Sequence, residues 1–298
     1  MFDRGQFIED TTLSVSVKNK GLNYGLGAID GIRAFWNEEH KQLYVFRLED
    51  HINRFHSSCD SLFIPVPYTK GEQFHLIREL LLLNEVTQDV YIRPICFKGE
   101  RELRPRLSDP YNRLSIYVDF SEYEAKPSLK VCISSWTRIA SNAIPPQTKS
   151  SAGYLNSGLA IQEAEINGYD EAVFLTADGH VSEGATENIF IVEGSTLITP
   201  PVADDIFPGI TRSTVFEIAV KELGLSIVEQ SFTRIELYEA EEVFFTGTAI
   251  GIKPVVEVDR RVIGSGQIGP VTRRIERLYE QMIRGNVAAY LNYCTAVY

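Results

Sequence analysis

One lysine of the sequence is placed where its amine could do covalent chemistry. Lys149 lies in a proline-rich loop among small residues, within the run Pro145-Pro146-Gln147-Thr148-Lys149-Ser150-Ser151-Ala152-Gly153-Tyr154. Small neighbours let a bulky ring approach the ε-amine, and a desolvated lysine loses its proton more easily, as Schiff-base chemistry requires. The alternative is a solvated loop lysine, which the position of Lys149 alone does not exclude.

Two acidic residues and an amide precede a predicted strand further along the chain. Glu183, Glu187 and Asn188 lie in the run Val181-Ser182-Glu183-Gly184-Ala185-Thr186-Glu187-Asn188-Ile189-Phe190. Because buried carboxylates need partners, these side chains are candidates for binding a polar group. Glu183 and Glu187 could instead be exposed loop charges, and their spacing leaves both interpretations open.

Two further segments have the composition of anion sites. Pro208-Gly209-Ile210-Thr211-Arg212 opens a predicted helix, where backbone N–H groups and a hydroxyl could converge on an anion, although an ordinary N-cap is the commoner use of threonine there. Phe245-Thr246-Gly247-Thr248-Ala249-Ile250-Gly251 is a strand end with small residues and a hydroxyl. It is consistent with a second phosphate contact or with a plain turn.

The composition excludes several classes of protein. Of the 298 residues, 44% are hydrophobic and 23% are charged, which is typical of a folded globular protein. Lys plus Arg number 29 against 40 Asp plus Glu, so the formal net charge is −11 and the surface repels nucleic-acid phosphates. The P-loop and nucleophile-elbow motifs are absent, and the five histidines follow no metal-binding spacing.

The sequence also indicates a compartment. The four cysteines are far apart and form no C-x-x-C pair, and the N-terminus lacks the basic and apolar regions of a signal peptide. No apolar run reaches the roughly 20 residues that a bilayer span requires. We therefore expect a cytoplasmic protein with no membrane partner.

The elements that must position these residues mix strands and helices. Alternating apolar residues predict a hairpin over 31–46 and strands over 90–97, 114–120, 129–136, 171–176, 189–192, 243–245 and 253–256. Helical spacing and caps predict helices over 52–62, 69–84, 154–167, 211–223 and 271–283. Asp178-Gly179 predicts a two-residue hairpin turn. Because there is no regular βαβ rhythm, the class is α+β rather than doubly wound.

The same pattern predicts two domains. Residues 1–120 form a small N-terminal domain, residues 121–128 a polar linker, and residues 129–298 a larger C-terminal domain that includes the loop around Lys149.

Taken together and in this order, the motifs resemble the class IV aminotransferases, which are fold-type IV pyridoxal-phosphate (PLP) enzymes, and most closely the branched-chain amino acid aminotransferases. The resemblance covers nearly the whole chain. Its motifs are Asn23-Tyr24-Gly25, Gly31-Ile32-Arg33, His51-Ile52-Asn53-Arg54, Tyr91-Ile92-Arg93-Pro94, Lys149, Ser182-Glu183-Gly184, Glu187-Asn188, Gly209-Ile210-Thr211-Arg212, Gly247-Thr248-Ala249 and Gly269-Pro270-Val271-Thr272.

The resemblance implies a cofactor site for PLP. Lys149 is the catalytic residue, which binds PLP covalently and moves the proton between the substrate α-carbon and the cofactor. Glu183 pairs with the pyridine nitrogen, and Tyr154 donates a hydrogen bond to the ring phenolate oxygen.

The resemblance also implies a phosphate site. Arg54 binds the phosphate, and Glu187 orients its guanidinium. Ile210 and Thr211 offer backbone N–H groups, while Thr248 offers its hydroxyl.

The implied substrate pocket accepts an apolar and an acidic side chain in alternate half-reactions. Tyr91 and the N–H groups around Thr248 and Ala249 hold the α-carboxylate, and Arg93 accepts the side-chain carboxylate of glutamate. Further residues match family positions that line the pocket: Tyr24, Ile29, Gly31, Arg33 and Ile250. In this family the tyrosine that matches Tyr24 comes from the partner subunit.

The activity implied is transamination of L-branched-chain amino acids with 2-oxoglutarate by a homodimer or higher oligomer. The implied fold is a small α/β sandwich domain with a larger pseudo-barrel α/β domain. Ile29, Asp30 and Ile250-Gly251 depart from the branched-chain pattern, as does Gly153, where an asparagine is common. A D-amino-acid or (R)-amine aminotransferase, an aminodeoxychorismate lyase and a silent PLP-binding protein are the alternatives.

Overall fold

The computed structural model describes residues 1–99, 104–120 and 126–298. The chain divides into two compact units, the first made of Met1–Tyr123, Thr148–Ala152 and Gln281–Tyr298, and the second of Glu124–Gln147 and Gly153–Glu280. Both units mix helices and strands, which confirms the predicted α+β class. Among the described residues, no helix is long and apolar enough to span a bilayer.

The described residues form seven α-helices and seventeen strands. The helices are α1 (Lys20–Tyr24), α2 (Leu48–Ser61), α3 (Lys70–Leu83), α4 (Tyr154–Ile166), α5 (Ile210–Glu217), α6 (Arg234–Glu239) and α7 (Pro270–Ile283). The strands are β1 (Phe2–Asp3), β2 (Gln6–Phe7), β3 (Gly27–Ile29), β4 (Ile32–Asn37), β5 (Gln42–Phe46), β6 (Val90–Lys98), β7 (Asn112–Asp119), β8 (Leu129–Thr137), β9 (Glu171–Leu175), β10 (Val181–Gly184), β11 (Asn188–Glu193), β12 (Thr196–Thr199), β13 (Ser226–Glu229), β14 (Glu242–Gly247), β15 (Gly251–Val258), β16 (Arg261–Val262) and β17 (Cys294–Ala296).

The first unit is an antiparallel sheet covered by two helices. Its strands run in the order β17-β5-β4-β6-β7-β1-β2, with β3 paired to β6. Helices α2 and α3 pack together, and Phe55 and Ile77 of these helices are completely buried in the core. Thr69 and Glu72 form the predicted capping box at the start of α3.

The second unit is built on a mixed sheet of nine strands. The order is β10-β9-β8-β15-β14-β11-β12-β13, with β16 paired to β15. Strand β8 is parallel to both β9 and β15, and β12 is parallel to β13. Helix α4 packs on β8 and β9, while α5 packs on β14. The rings of Phe190 and Phe244 stack at 5.0 Å in its interior.

Two segments group differently from the sequence interpretation, which assigned them to the C-terminal domain. Thr148–Ala152 belongs to the first unit because the Ile29 N–H donates to the Lys149 carbonyl at 2.9 Å. Gln281–Tyr298 belongs there too, since β17 pairs with β5. These backbone pairings join parts of the chain that are distant in sequence. Of the predicted linker 121–128, residues 121–125 lie outside the described residues.

Residues 176–180 connect β9 to β10, and the turn among them has three residues rather than the predicted two. Thr176 N–H donates to the His180 carbonyl at 2.8 Å, so the strands remain paired until this point. Ala177, Asp178 and Gly179 then close the turn, with Gly179 at φ +92°. Glycine adopts this left-handed conformation without strain, which allows the turn to contain a third residue.

Helix α7 begins on a buried carboxylate. Glu242 accepts hydrogen bonds from Val271 N at 3.0 Å, from Thr272 N at 2.7 Å and from Thr272 Oγ1 at 2.6 Å. A Cβ atom on Gly269 would lie 2.0 Å from the Glu242 side chain, so only glycine fits there. Residues 264–269 have the G-x-G-x-x-G spacing, but Glu242 already occupies the helix N-terminus where that motif would bind a phosphate.

We expect Glu242→Ala to destabilise the second unit by about 2 kcal/mol, because three donors at the start of α7, two of them buried, lose their acceptor. Urea unfolding followed by circular dichroism measures the change. The neighbouring Glu241→Ala is the control: Glu241 is exposed and accepts one long bond from Gly194 N, at 3.2 Å, so its loss should have little effect. Equal effects of the two substitutions would contradict the capping role.

Candidate active site

The backbone of Lys149 is anchored on both sides within the first unit. Its carbonyl accepts from Ile29 N at 2.9 Å, and its N–H donates to Ser58 Oγ of α2 at 3.2 Å. Ser150 forms an isolated bridge with Ala28. Lys149 itself is half-buried. These contacts hold the lysine against β3 and α2, unlike a loop residue that is surrounded by solvent.

Arg54 pairs with a buried aspartate in the same unit. Arg54 Nε donates to Asp30 Oδ2 at 2.9 Å, and Nη2 donates to Oδ1 at 2.7 Å. Asp30 is completely buried, and the Arg54 side chain is 13% exposed. Within the first unit, the carboxylate that holds this guanidinium is therefore Asp30.

His51 completes this cluster. Its Nδ1 lies 2.8 Å from Asp30 Oδ1. Burial raises the pKa of Asp30, but the charge of Arg54 and the hydrogen bonds from His51 and Arg54 outweigh it and hold that pKa well below its ordinary value. Burial also lowers the pKa of His51, an effect that Asp30 only partly opposes. At neutral pH the cluster thus contains an ionised Asp30, a charged Arg54 and a neutral His51.

Three of the predicted substrate residues lie on one face of the antiparallel sheet. Arg33 of β4 pairs in register with Tyr91 of β6, and Arg93 lies two residues along the same strand. Arg93 Nη2 donates to Tyr91 Oη at 2.9 Å, and the Arg93 guanidinium lies 5.1 Å from the Tyr91 ring centroid. A Cβ atom on Gly31 would lie 1.8 Å from Tyr91 Oη, which requires glycine in that motif.

Two other predicted residues flank this face along the chain. Tyr24 is the last residue of α1 and is 39% exposed, and Gly25 ends the helix in the left-handed conformation at φ +66°. Ile29 is buried at the end of β3, next to Asp30.

In the second unit, Glu183 is a buried carboxylate whose partners include an arginine, an amide and a backbone N–H. Arg138 Nη2 lies 2.7 Å from Oε1 in an ion pair. Asn188 Nδ2 and Phe207 N donate to Oε2 at 2.8 and 3.0 Å. Asn188 needs space beside α5, since a Cβ on Gly209 would lie 2.1 Å from its Oδ1. Glu183, Asn188 and Gly209, which belong to separate sequence motifs, therefore pack together in the structure.

Glu187 is also buried but has different neighbours. It accepts from Thr186 N at 3.0 Å and from the Thr186 hydroxyl. Burial, together with the nearby charge of Glu187, raises the pKa of Glu171 to about 8. The uncharged form of Glu171 is therefore favoured in this buried position beside Glu187.

The residues of the second unit that are predicted to bind the phosphate and the substrate carboxylate lie at the start of a helix and in a turn between two strands. Ile210 and Thr211 are the first residues of α5, where backbone N–H groups have no acceptor within the helix. Thr248, Ala249 and Ile250 form the turn that joins β14 to β15. Backbone N–H groups at the start of a helix such as α5 can bind an anion.

The structure distributes the predicted site residues over both units. The first unit carries Tyr24, Ile29, Arg33, Arg54, Tyr91, Arg93 and Lys149. The second carries Tyr154, which begins α4, and Glu183, Glu187, Ile210, Thr211, Thr248, Ala249 and Ile250. Across residues 1–99, 104–120 and 126–298, no group of His, Cys, Asp or Glu side chains is arranged to hold a metal ion.

Sequence reasoning missed two charged residues of these clusters. Asp30 stood out only as a departure from the family pattern, and Arg138 was not singled out. Each follows directly on a strand, Asp30 after β3 and Arg138 after β8. A charged residue in that position is the signal that could have drawn attention to them, because it must find a partner if the strand end is buried.

Comparison with known proteins places these clusters in context. The chain matches the family model described as amino-transferase class IV over residues 27–258. It is 38% identical to a probable branched-chain-amino-acid aminotransferase of Aquifex aeolicus, over 100% of this chain and 96% of that protein.

Solved structures agree over the whole chain. The branched-chain aminotransferase of Thermoproteus uzoniensis with norvaline superposes with a TM-score of 0.95 at 39% identity, covering 100% of this chain and 98% of that one. The branched-chain amino acid aminotransferase of T.th., complexed with N-(5'-phosphopyridoxyl)-L-glutamate, gives 0.94 at 33% identity, covering 99% and 97%. The predicted two-domain fold-type IV architecture is thereby confirmed.

We expect Arg138→Met to destabilise the protein by about 2–3 kcal/mol, because the buried Glu183 carboxylate loses its cation while the aliphatic packing is kept. Urea unfolding of Arg138→Met, Glu183→Gln and the double variant forms a thermodynamic cycle. The double variant should be more stable than Arg138→Met alone, since no uncompensated charge remains. Strictly additive losses would show that the pair is not coupled.

Proposed function

The chain belongs to the class IV aminotransferases, and from this premise we propose that it transfers the amino group of L-branched-chain amino acids to 2-oxoglutarate with PLP as cofactor. The products are the branched-chain 2-oxo acids and L-glutamate. The relatives named above support the substrate class, since one is bound to norvaline and another to a phosphopyridoxyl-glutamate.

The observation that carries the proposal is the buried Glu183, fixed by Arg138, Asn188 and a backbone N–H. A carboxylate held rigidly away from water suits a protonated pyridine nitrogen, which is the group of PLP that must stay charged. Lys149 fits the same cofactor because its loop is anchored and its side chain is half-buried. Each of these two side chains matches one part of PLP chemically, Glu183 the ring nitrogen and Lys149 the carbonyl carbon.

When bound, PLP supplies a carbonyl carbon that takes up the amino group and a ring that accepts the electron pair released at the substrate α-carbon. Lys149 Nζ would hold the cofactor at that carbonyl carbon, and its amine would accept and return the substrate α-proton. Glu183 keeps the ring nitrogen protonated, and Tyr154 donates to the phenolate oxygen. Each role uses the side chain's ordinary acid-base chemistry.

The phosphate is proposed to bind to donors from several elements. Arg54 contributes its guanidinium, Ile210 and Thr211 contribute the N–H groups at the start of α5, and Thr248 contributes its hydroxyl. The orienting role of Glu187 toward Arg54 stays a prediction.

The proposed substrate pocket combines Tyr91 and Arg93 with backbone donors near Ala249. Because Arg93 Nη2 and Tyr91 Oη are hydrogen-bonded, a carboxylate arriving at either group is met by a preorganised pair of donors. Arg33, Ile29 and Ile250 would line the same pocket. When the substrate side chain is apolar, Arg93 keeps its hydrogen bond to Tyr91. When the substrate is glutamate, Arg93 binds its second carboxylate.

We further propose a homodimer or higher oligomer that works in the cytoplasm. Val17, Leu22 and Tyr24 are 77%, 68% and 39% exposed, and such apolar residues suit contact with a second copy, from which Tyr24 would reach the partner's pocket. All four cysteines are buried free thiols, which fits a reducing compartment.

We expect the purified protein to form glutamate from 2-oxoglutarate with L-leucine, L-isoleucine and L-valine, and much less with D-alanine or an (R)-amine. A coupled assay for glutamate measures the rate of transamination with each amino donor. Lys149→Ala should lose both turnover and the visible absorbance of lysine-bound PLP, because no other group replaces its amine. The exposed Lys221→Ala is the control. Turnover of D-alanine alone, or activity of Lys149→Ala, would contradict the proposal.

We expect Arg93→Leu to slow the half-reaction with glutamate far more than that with leucine, by about 1.5–3 kcal/mol, because only glutamate has a second carboxylate to lose its charged hydrogen bond. Single-turnover rates of each half-reaction measure the difference. Arg78→Leu, in α3, is a matched arginine outside the site and should affect neither. Equal losses for both substrates would instead place Arg93 at the α-carboxylate that they share.

A further inference from the structure

Asp30 accepts hydrogen bonds on both of its carboxylate oxygens. Oδ1 accepts from Gly31 N at 2.7 Å and Arg54 Nη2 at 2.7 Å, and it lies 2.8 Å from His51 Nδ1. Oδ2 accepts from Arg54 Nε at 2.9 Å. A completely buried carboxylate with this many donors has a single orientation, since any rotation would leave a charged oxygen without partners.

The tautomer of His51 follows from these contacts. An ionised Asp30 can only accept, so His51 must carry its proton on Nδ1 and donate it to Oδ1. The 3.2 Å approach of Arg54 Nη2 to the same Nδ1 is then a contact between two donors, not a hydrogen bond. Within this cluster the orientation of the guanidinium is therefore set by Asp30 and not by His51.

The two hydrogen bonds to Asp30 fix the plane of the Arg54 guanidinium. Two parallel bonds use the Nε–Nη2 edge of Arg54, and a planar guanidinium held on one edge cannot turn about its long axis. Nη1 lies on the opposite edge and is thereby held in one position. A lysine at this place would have the charge but not the fixed direction.

The elements that carry this pair also carry the lysine. Ile29, the residue before Asp30, donates its N–H to the Lys149 carbonyl. Ser58, one helical turn after Arg54 in α2, accepts from the Lys149 N–H. Arg54 and Lys149 are therefore attached to the same two segments of the first unit.

We propose that Asp30 is a positioning residue that holds the Arg54 guanidinium in the orientation required for the cofactor phosphate, on the same frame as Lys149. This inference rests on the proposed function, in which Arg54 binds that phosphate. It assigns to Asp30 an effect on the phosphate alone: binding of the ring through Lys149 needs no contact with this carboxylate.

The test compares PLP with pyridoxal, which has the ring and the aldehyde but no phosphate. The full chain, freed of cofactor by dialysis, is titrated with each compound, and visible absorbance reports binding. Asp30→Asn should weaken PLP about tenfold and change pyridoxal by less than about twofold, because the near-isosteric amide cannot accept both Arg54 bonds as a charged group. Asp30→Glu, which keeps the charge, should recover part of the loss.

The matched control is another buried pair in the same unit. Asp3 binds Arg113 through bonds of 2.7 and 2.8 Å and is likewise buried, but lies outside the candidate site. Asp3→Asn should reduce stability while leaving the ratio of PLP to pyridoxal affinity unchanged. A parallel loss of both ligands in Asp30→Asn would show a merely structural role and overturn the proposal.

Further variants separate this inference from the function on which it rests. If Arg54→Ala leaves the affinity ratio unchanged, the phosphate role of Arg54 fails and the role of Asp30 fails with it. If Arg54→Ala lowers the ratio and Asp30→Asn does not, only the Asp30 proposal is overturned. Should Asp30→Asn not fold, Arg54→Lys provides the test: a normal ratio would show that charge without fixed orientation suffices, which also overturns it.

Discussion

The burial of the Asp30 carboxylate is the constraint on which the arrangement of the first unit depends. An ionised group without water costs several kcal/mol unless donors surround it, so Gly31, His51 and Arg54 have to converge on this point. That convergence fixes the end of β3 against α2. Ile29, the residue before Asp30, binds the Lys149 backbone through its own N–H, so the lysine is attached to the same strand end without a contact to this carboxylate.

The second unit solves the same physical problem with a different set of residues. Glu183 is buried like Asp30, and it too is balanced by an arginine that comes from a distant part of the chain, Arg138. The remaining donors are an amide and a backbone N–H, whose placement requires that Gly209 have no side chain. In both units a rigid charge is obtained by enclosing a carboxylate with its partners, which is how a binding site is organised before the ligand arrives.

The groups proposed to bind the cofactor and the group proposed to bind the substrate side chain are held in different ways. Arg54 and Glu183, two of the groups that contact the cofactor in the proposed function, are held in buried ion pairs, and groups held in this way do not adapt to different ligands. Arg93 is held by a hydroxyl and a ring face. A guanidinium hydrogen-bonded to a neutral hydroxyl can exchange that bond for one to a carboxylate, which is the property that a pocket for both leucine and glutamate needs.

The sequence by itself determined the class of fold, the positions of the long periodic helices and strands, and, through the order of its motifs, the family and the residues proposed to contact the cofactor. The elements depend on local spacing, as Thr69 and Glu72 show by capping α3 within one turn. The family and the proposed role of Lys149 come from the resemblance that the ordered motifs carry. Short strands such as β1 and β17 have too few residues for a periodic pattern, so only pairing reveals them. The partners of Asp30 and Glu183, and the grouping of Thr148–Ala152 with the first unit, were decided by the tertiary structure, because a buried charge selects its partner by distance in space and not by distance along the chain.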